Sequence, residues 1–380
     1  MEWAKEGLFA DSIGVKAVEG KEAQMVRYLL PSVESTLQLD RRCPHCHRPN
    51  GRIHSALGYR AIRDLKVSAI PQRRMRCPWC GMSWTLRAEG VNGGCQRSRR
   101  LVGMGVLLYM MGLSYRRVEE ALAAEGCPSG KSSVERDVKA AGEEARLRHR
   151  EARQFPVRVL GVDGTGAAMA GKDAGVLFLV GLEGGGHLIG LAPLHEEQTQ
   201  KVRDHVAKVM AAVGAKELRS DEHSVYERIV PEAQHRICLA HWAKSKGKRA
   251  YDLHRQALVE GRPLEAATMW QLLQLLRKRP RPPTVPEELT GMVVRYINAR
   301  TGLPWKVNQL LQHVERTWEK VSDDPVDPTN NATERVIGLT FKIRSKTMRG
   351  FKARHKVIAH PYLSSFLRGQ GGICDLREVI

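Results

Sequence analysis

Aromatic side chains are scarce in this chain: Phe, Trp and Tyr together make up 6% of its 380 residues. A base-stacking platform needs aromatics interleaved with cations, so this scarcity argues against an RNA-binding protein. Acidic residues are in deficit too, with 41 Asp and Glu against 61 Lys and Arg, which leaves a net charge of +20. That balance argues for a phosphate-rich partner more than for any particular fold. Long apolar runs are missing as well, and the longest fall far short of the roughly 20 residues that span a bilayer. The opening Met1-Glu-Trp-Ala-Lys-Glu6 has mixed charge, unlike a secretory leader. The expectation is a cytoplasmic protein without a membrane segment, long enough for two or three domains.

Of the eight cysteines, four fall in two Cys-x-x-Cys pairs, Cys43-Pro-His-Cys46 and Cys77-Pro-Trp-Cys80. Each Cys-Pro-x-Cys turn aims two thiolates at one point, and the thirty residues between the turns are enough to bring them together around one tetrahedral ion. The spacing predicts a zinc ribbon over residues 39–92, with one structural Zn2+ on Cys43, Cys46, Cys77 and Cys80. His45 and His47 are the alternative ligands. Strands are expected near Ile62–Val67 and Arg73–Arg76. Arg73, Arg74 and Arg76, with Arg41, Arg42, Arg48, Arg52 and Arg60, offer a phosphate-facing surface. The alternative is a module that only supports its neighbour. The arm before it, residues 1–38, has a short helix expected over Ala23–Leu30.

Apolar residues at helical spacing place one helix over 99–111 and a second over Tyr115–Ala124, with Gly112-Leu-Ser114 between them. A third begins at Ser132-Ser133-Val134. Three short helices with this turn fit a helix-turn-helix in residues 97–150, whose last helix brings Lys131, Ser132, Ser133 and Arg136 to a major groove. A plain three-helix packing unit is the bland alternative. The polar run from Gly142 onward reads as an exposed helix or linker.

From Phe155 strands and helices alternate. Val157–Val162, Val176–Leu182, His187–Leu191, Glu217–Ser220 and His235–Cys238 read as strands. Helices are expected at 198–213 and around 225–229. Asp163 follows the first strand, Asp221 follows the fourth, and Glu334 falls in the first turn of a helix opened by Asn330-Asn331. Three carboxylates at the ends of regular elements, in a chain this basic, point to a metal site acting on a polyanion. Each has a simpler reading: Asp163 and Asp221 as cap or turn residues, and Glu334 as the N3 residue of a capping box on Asn331. Asp323, Asp324 and Asp327 are rival ligands in a proline-bearing loop.

Read together, Asp163-Gly, Asp221 with Tyr226 and Pro231, Cys238-Leu-Ala-His241-Trp and Asn330-Asn331-x-x-Glu334-Arg335 resemble the signature of DDE transposases of prokaryotic insertion sequences and the Mutator-like kind. Lys342, Arg344, Lys346 and Gly350-Phe351 extend the likeness, which covers roughly residues 155–356. The resemblance implies a ribonuclease-H-like α/β catalytic domain with a mixed five-stranded sheet, split as residues 155–241 and 326–380 around an all-helical insertion at 242–325. It implies that Asp163, Asp221 and Glu334 hold two Mg2+ or Mn2+ ions, with Cys238 and His241 as motif residues of structural role. A shared ion with a more distant ligand stays open for that pair. Arg335, Lys342, Arg344, Lys346, Arg349 and Lys352 then belong to a surface for DNA phosphates. The partners implied are double-stranded DNA, as element terminal repeats and target, and at least one further copy of the chain in the nucleoid. The activity implied is DNA cleavage and strand transfer, with a related nuclease or integrase, or a non-catalytic DNA-binding regulator, as alternatives.

Overall fold

The computed structural model describes residues 12–380 apart from 20–21, 35, 38–39, 93, 152–156, 170–171, 232–233, 278–283, 323–328, 348–350, 352 and 369–372. The chain divides into two compact units, Met1–Arg150 with His355–Ile380, and Glu151–Arg354. Among the described residues no helix is long and apolar enough to cross a membrane.

The first unit opens with an antiparallel pair, β1 (Ser12–Glu19) and β2 (Glu22–Leu29). The helix expected over Ala23–Leu30 is therefore a strand. Its residues have fair helix propensity, but β2 is the middle strand of a three-stranded sheet whose other partner comes from the far end of the chain, and pairing overrides propensity. Then come β3 (Arg52–Ile53), β4 (Gly58–Ala61), β5 (Ala69–Arg76) and β6 (Ser83–Arg87). β5 carries β3 and β4 along one edge and β6 along the other, all antiparallel. Ile70 and Met75 of β5 are fully buried, one on each face of the strand.

Three helices follow: α1 (Arg99–Met110), α2 (Tyr115–Ala124) and α3 (Lys131–Glu151). Ser98 and Ser114 cap the first two, accepting from Leu101 N–H and Arg117 N–H. The polar run after Gly142 is the second half of α3, buried on its inner face at Ala145.

The second unit is built on a mixed five-stranded sheet of β7 (Val159–Met169), β8 (Lys172–Gly181), β9 (His187–Ala192), β10 (Glu217–Ser220) and β11 (His235–Ile237), in the order β11-β10-β7-β8-β9. β7, β8 and β9 form an antiparallel meander, and β10 and β11 run parallel to β7. Helix α4 (Thr199–Val213) presents Val202, Val206, Val209, Met210 and Val213 to Leu160, Val162, Leu177 and Leu179 of one sheet face. The helix expected around 225–229 is a single 3-10 turn at Ser224–Tyr226.

Four helices, α5 (Leu239–Val259), α6 (Pro263–Arg277), α7 (Glu287–Tyr296) and α8 (Gly302–Trp318), form a separate apolar core. Trp242 and Trp318 meet edge to face at 5.4 Å in it, and Trp242 Nε1 donates to Thr317 Oγ1 at 2.9 Å. This bundle leaves and rejoins the sheet at one strand. α5 starts directly after β11, and the chain leaving α8 pairs Val321 with Ile237. Helix α9 (Asn331–Ile337) then passes through a π-helical turn, Gly338–Lys342, into α10 (Ile343–Thr347) on the other sheet face, where Phe341 packs on Phe178 and Phe351.

The chain then returns to the first unit as α11 (Arg354–Arg368) and β12 (Ile373–Asp375), the strand that pairs with β2. α11 approaches α3 closely at Gly142, where a Cβ would lie 2.5 Å from that of Ala359. The last stretch of chain, expected to complete the second unit, thus belongs to the first from His355 on.

Candidate active site

Asp163 stands in β7 and Asp221 directly after β10. The two strands are parallel neighbours, paired from Glu217 with Val159 to Arg219 with Gly161. Continuing that register by two residues sets Asp221 beside Asp163, and because equivalent residues of paired strands share a face, the two carboxylates lie on one side of the sheet. Val162 was expected to end the strand. Instead β7 runs on to Met169 against β8, so Asp163 lies mid-strand at the level where β10 stops.

Glu334 reaches the same place through a buried anchor. Asn330, wholly buried, donates from Nδ2 to the Val162 carbonyl at 3.0 Å, and its backbone N–H donates to Cys238 Sγ at 3.1 Å. Its Oδ1 accepts from the Thr333 hydroxyl at 2.5 Å. Gly161 makes the approach of α9 to β7 possible, since a Cβ there would lie 2.3 Å from Thr333 Oγ1 and 2.5 Å from Asn330 Oδ1. The N-cap is Asn330 and not Asn331, which moves Glu334 one place beyond N3. Its carboxylate closes no capping box: Oε1 lies 2.8 Å from His241 Nε2.

Cys238 and His241 therefore bracket the start of α5 with separate tasks. The first accepts the Asn330 N–H and the second contacts Glu334. His241 Nδ1 is buried without a partner of normal hydrogen-bond geometry, beside the Cys238 sulfur. Interaction with Cys238, then the charges of Glu334 and Asp163, outweigh burial and lift the imidazole to about 9.

A fourth carboxylate, unmarked in the sequence, lies within electrostatic reach of both aspartates. Glu196, in the loop before α4, accepts from the buried Tyr226 hydroxyl at 2.5 Å. It fits because residue 164 is glycine: a Cβ there would lie 2.7 Å from the Glu196 carboxyl carbon. Burial, then Asp221, Glu196 and Glu334, push Asp163 up to about 6 against the opposing charge of His241. Asp221 is raised mainly by burial and then by Glu196, while the His223 N–H that bonds Oδ1 at 3.1 Å works the other way. Burial and the bond to Glu196 raise Tyr226, so it remains a neutral donor.

Neither a scan against family models nor a search of curated proteins returns a match to this chain.

Among the described residues, one group of His, Cys or acidic side chains brings all its ligand atoms within 4.8 Å of one another: Cys43, Cys46, Cys77 and Cys80. Cys43 and Cys80 lie 3.6 Å apart, as do Cys46 and Cys77, close to the ~3.8 Å edge of a tetrahedron with 2.3 Å metal–sulfur bonds. The two knuckles repeat each other. Cys43 N–H bonds the Arg48 carbonyl and Cys77 N–H that of Met82, with His47 and Gly81 as the left-handed residues at matching places. The N–H groups of Cys80 and Trp79 bring Cys77 down to about 6, toward the thiolate that binds a metal. His45 and His47 are exposed and outside the cluster. The acids at β7, β10 and α9 do not draw together as tightly, and Glu334 turns toward His241.

The expected DNA-facing residues are only partly of one kind. Arg74 and Arg76 lie exposed on one face of β5, but Arg73 alternates to the face of Met75. Lys131, Ser132 and Arg136 are exposed along the first turns of α3, and Ser133 half-buried. Arg335, Lys342 and Lys346 are exposed along the α9–α10 rod, whereas Arg344 turns inward, with about 5% exposure, and is no surface contact. Arg349, Lys352, Asp323, Asp324 and Asp327 lie outside the described residues.

Proposed function

We propose that the protein is a DNA transposase of the DDE kind, in which Asp163, Asp221 and Glu334 hold two Mg2+ or Mn2+ ions and the first unit binds DNA. The observation that carries this reading is the strand register that sets Asp221 beside Asp163, joined to the buried Asn330 anchor that brings Glu334 to the same sheet face. The order β11-β10-β7-β8-β9 supports a ribonuclease-H-like catalytic domain, with the four-helix bundle as its insertion. The donor set fits the ions: hard carboxylate oxygens are what Mg2+ prefers, and a divalent cation would relieve the crowding that raises Asp163 and Asp221. Two ions shared among Asp163, Asp221 and Glu334 would not require all three carboxylates to sit within one tight sphere.

When bound, the ions stabilise the attacking and leaving oxygens of an in-line displacement at phosphorus. The chain's own residues position and tune. Asn330 and Cys238 fix α9, His241 restrains the Glu334 carboxylate from the start of α5, and Tyr226 holds Glu196 against the Gly164 notch. Water and then a DNA 3′-hydroxyl act as nucleophiles, so no covalent protein intermediate is needed. The cysteine cluster suits one structural Zn2+, and α1–α3, the first two capped by serines, suit a helix-turn-helix with the exposed start of α3 toward DNA. Joining two element ends calls for at least two copies of the chain.

The test is metal-dependent cutting of DNA that contains the flanks of the protein's own coding sequence. Asp163→Ala, Asp221→Ala and Glu334→Ala should each abolish cutting by at least about a thousandfold while specific DNA binding persists. Cutting preserved in all three variants would sink the assignment. Specific binding with no cutting by the wild type under either metal would favour a regulator instead.

A further inference from the structure

Between residues 41 and 88 the cysteine module has one acidic side chain, Asp64. It is buried and already engaged, accepting from the Ser98 hydroxyl, an Arg100 guanidinium and the N–H groups of Lys66 and Val67. Side chains alternate across a strand, so the pairings of β3, β5 and β6 fix which residues share a face. Arg52 stands opposite Arg76, Thr85 opposite Arg74, and Arg87 opposite Gln72. Arg52, Arg74, Arg76 and Arg87 therefore project from one face, and all four are exposed. None of them pairs with a carboxylate among the described residues. Ile53, Met75, Trp84 and Arg73 take the opposite face. At its other end the arginine face is closed over Ile70 by Val33, Ile62 and Ala88, so its open half is the cationic half.

Like charges directly opposite each other on paired strands are destabilising, and Arg52 and Arg76 are register partners. A polyanion laid on the face reverses the sign of that interaction. Strand geometry says what shape of polyanion fits. Same-face residues along a strand are about 7 Å apart, so Arg76, Arg74 and then Arg87 beside Gln72 form a row about 14 Å long. That length is about four of the roughly 3.4 Å rises that separate nucleotides of one DNA strand. An acidic membrane would call for apolar side chains that insert beside the cations. No exposed apolar side chain stands among these arginines, since Ile53 and Tyr59 project from the opposite face. Nor does the face offer an aromatic ring on which a base could stack. We propose that the β3–β5–β6 face grips the phosphate backbone of one DNA strand through Arg52, Arg74, Arg76 and Arg87, independently of base sequence. The phosphodiester chemistry follows from the face, whereas duplex DNA as its source rests on the transposase reading.

Fluorescence anisotropy of the full-length protein across a salt series tests the face, with two labelled duplexes of equal length. One comes from the flanks of the coding sequence and the other is of unrelated sequence. Each phosphate contact contributes about 0.9 to the slope of log affinity against log salt. The double variants Arg74→Gln/Arg76→Gln and Arg52→Gln/Arg87→Gln should each lower that slope by about 2 on both duplexes and weaken binding about tenfold or more. The ratio of affinities between the two duplexes should stay as in wild type. Arg73→Gln, on the opposite face, should keep the wild-type slope. The four arginines are exposed, so the double variants should fold, and circular dichroism checks that they do. Unchanged slopes in both double variants, or a slope lowered as far by Arg73→Gln, overturn the face. A shifted ratio between the duplexes overturns its independence of sequence. Tighter, equally arginine-dependent binding to an RNA duplex or to phosphatidylserine vesicles overturns DNA as the occupant. The two readings fail separately. Lowered slopes in a protein that never cuts DNA keep the face and sink the transposase. Glu334-dependent cutting with unchanged slopes does the reverse.

Discussion

Asp163 is more easily protonated in the folded chain than in an unfolded one, and the sign of that shift has a consequence. A carboxyl raised from its ordinary 3.8 to about 6 leaves stability intact at low pH and subtracts from it as pH rises from about 4 through 6. Asp163→Asn removes the subtraction. The variant should be more stable than wild type by about 1–2 kcal/mol at pH 7.5, after allowance for solvent screening, and no more stable at pH 4. Thermal unfolding at the two pH values without added divalent ion measures this. Mn2+ should then raise the melting temperature of wild type and not of the variant. At this scale strand context made the placement of Asp163 and Asp221 on neighbouring strands legible. The sequence was silent on Glu196, because Leu194-His-Glu-Glu-Gln198 has the composition of any polar loop. Only the missing side chain at Gly164 and the Tyr226 hydroxyl single Glu196 out. Tyr226→Phe should therefore raise the divalent-ion concentration needed for half-maximal cutting severalfold, a shift that a merely structural tyrosine would not produce.

Elements as short as α9 cannot hold themselves: seven residues are fewer than a helix needs to persist in water. Its position depends on Asn330, whose three buried hydrogen bonds tie it to β7, to Cys238 and to its own first turn. Asn330→Ala should cost about 2–4 kcal/mol, because it leaves the Val162 carbonyl and Thr333 hydroxyl short of partners in the interior. The loss would be visible in denaturant unfolding. The cysteine module depends on its ion in the same way. Elemental analysis should find one zinc per chain, and a strong chelator or Cys77→Ser should open residues 41–87 to proteases that the metal-loaded protein resists. Locally encoded elements were legible: the paired Cys-Pro-x-Cys turns, the helix over 198–213 and the turn at Gly112-Leu-Ser114. The strand β2 was not, because its identity comes from partners, one of them β12, that no window of sequence contains. The length of β7 was missed for a related reason. Gly164 and Gly166 look like a turn, yet pairing with Gly175 to Leu177 of β8 carries the strand through them.

At the scale of the whole molecule the net charge of +20 dominates. If six to ten of these cations meet phosphates, DNA affinity should fall about 10³–10⁵-fold between 50 and 200 mM salt, which filter binding across a salt series would show. The division into two units, with the chain's last segment returning to the first, is the least legible feature. Nothing in the composition of residues 355–380 says which core they complete; the fit of Ala359 against Gly142 does. In the proposed transposase, one set of carboxylates both cuts and joins DNA. The most direct test of this is a strand-transfer reaction with Mg2+, labelled DNA ends from the flanks of the coding sequence and an unlabelled target plasmid. Joined products from wild type that vanish with Glu334→Ala are the predicted result. Joined products undiminished in that variant, or their absence from wild type that binds those ends specifically under both Mg2+ and Mn2+, would contradict it.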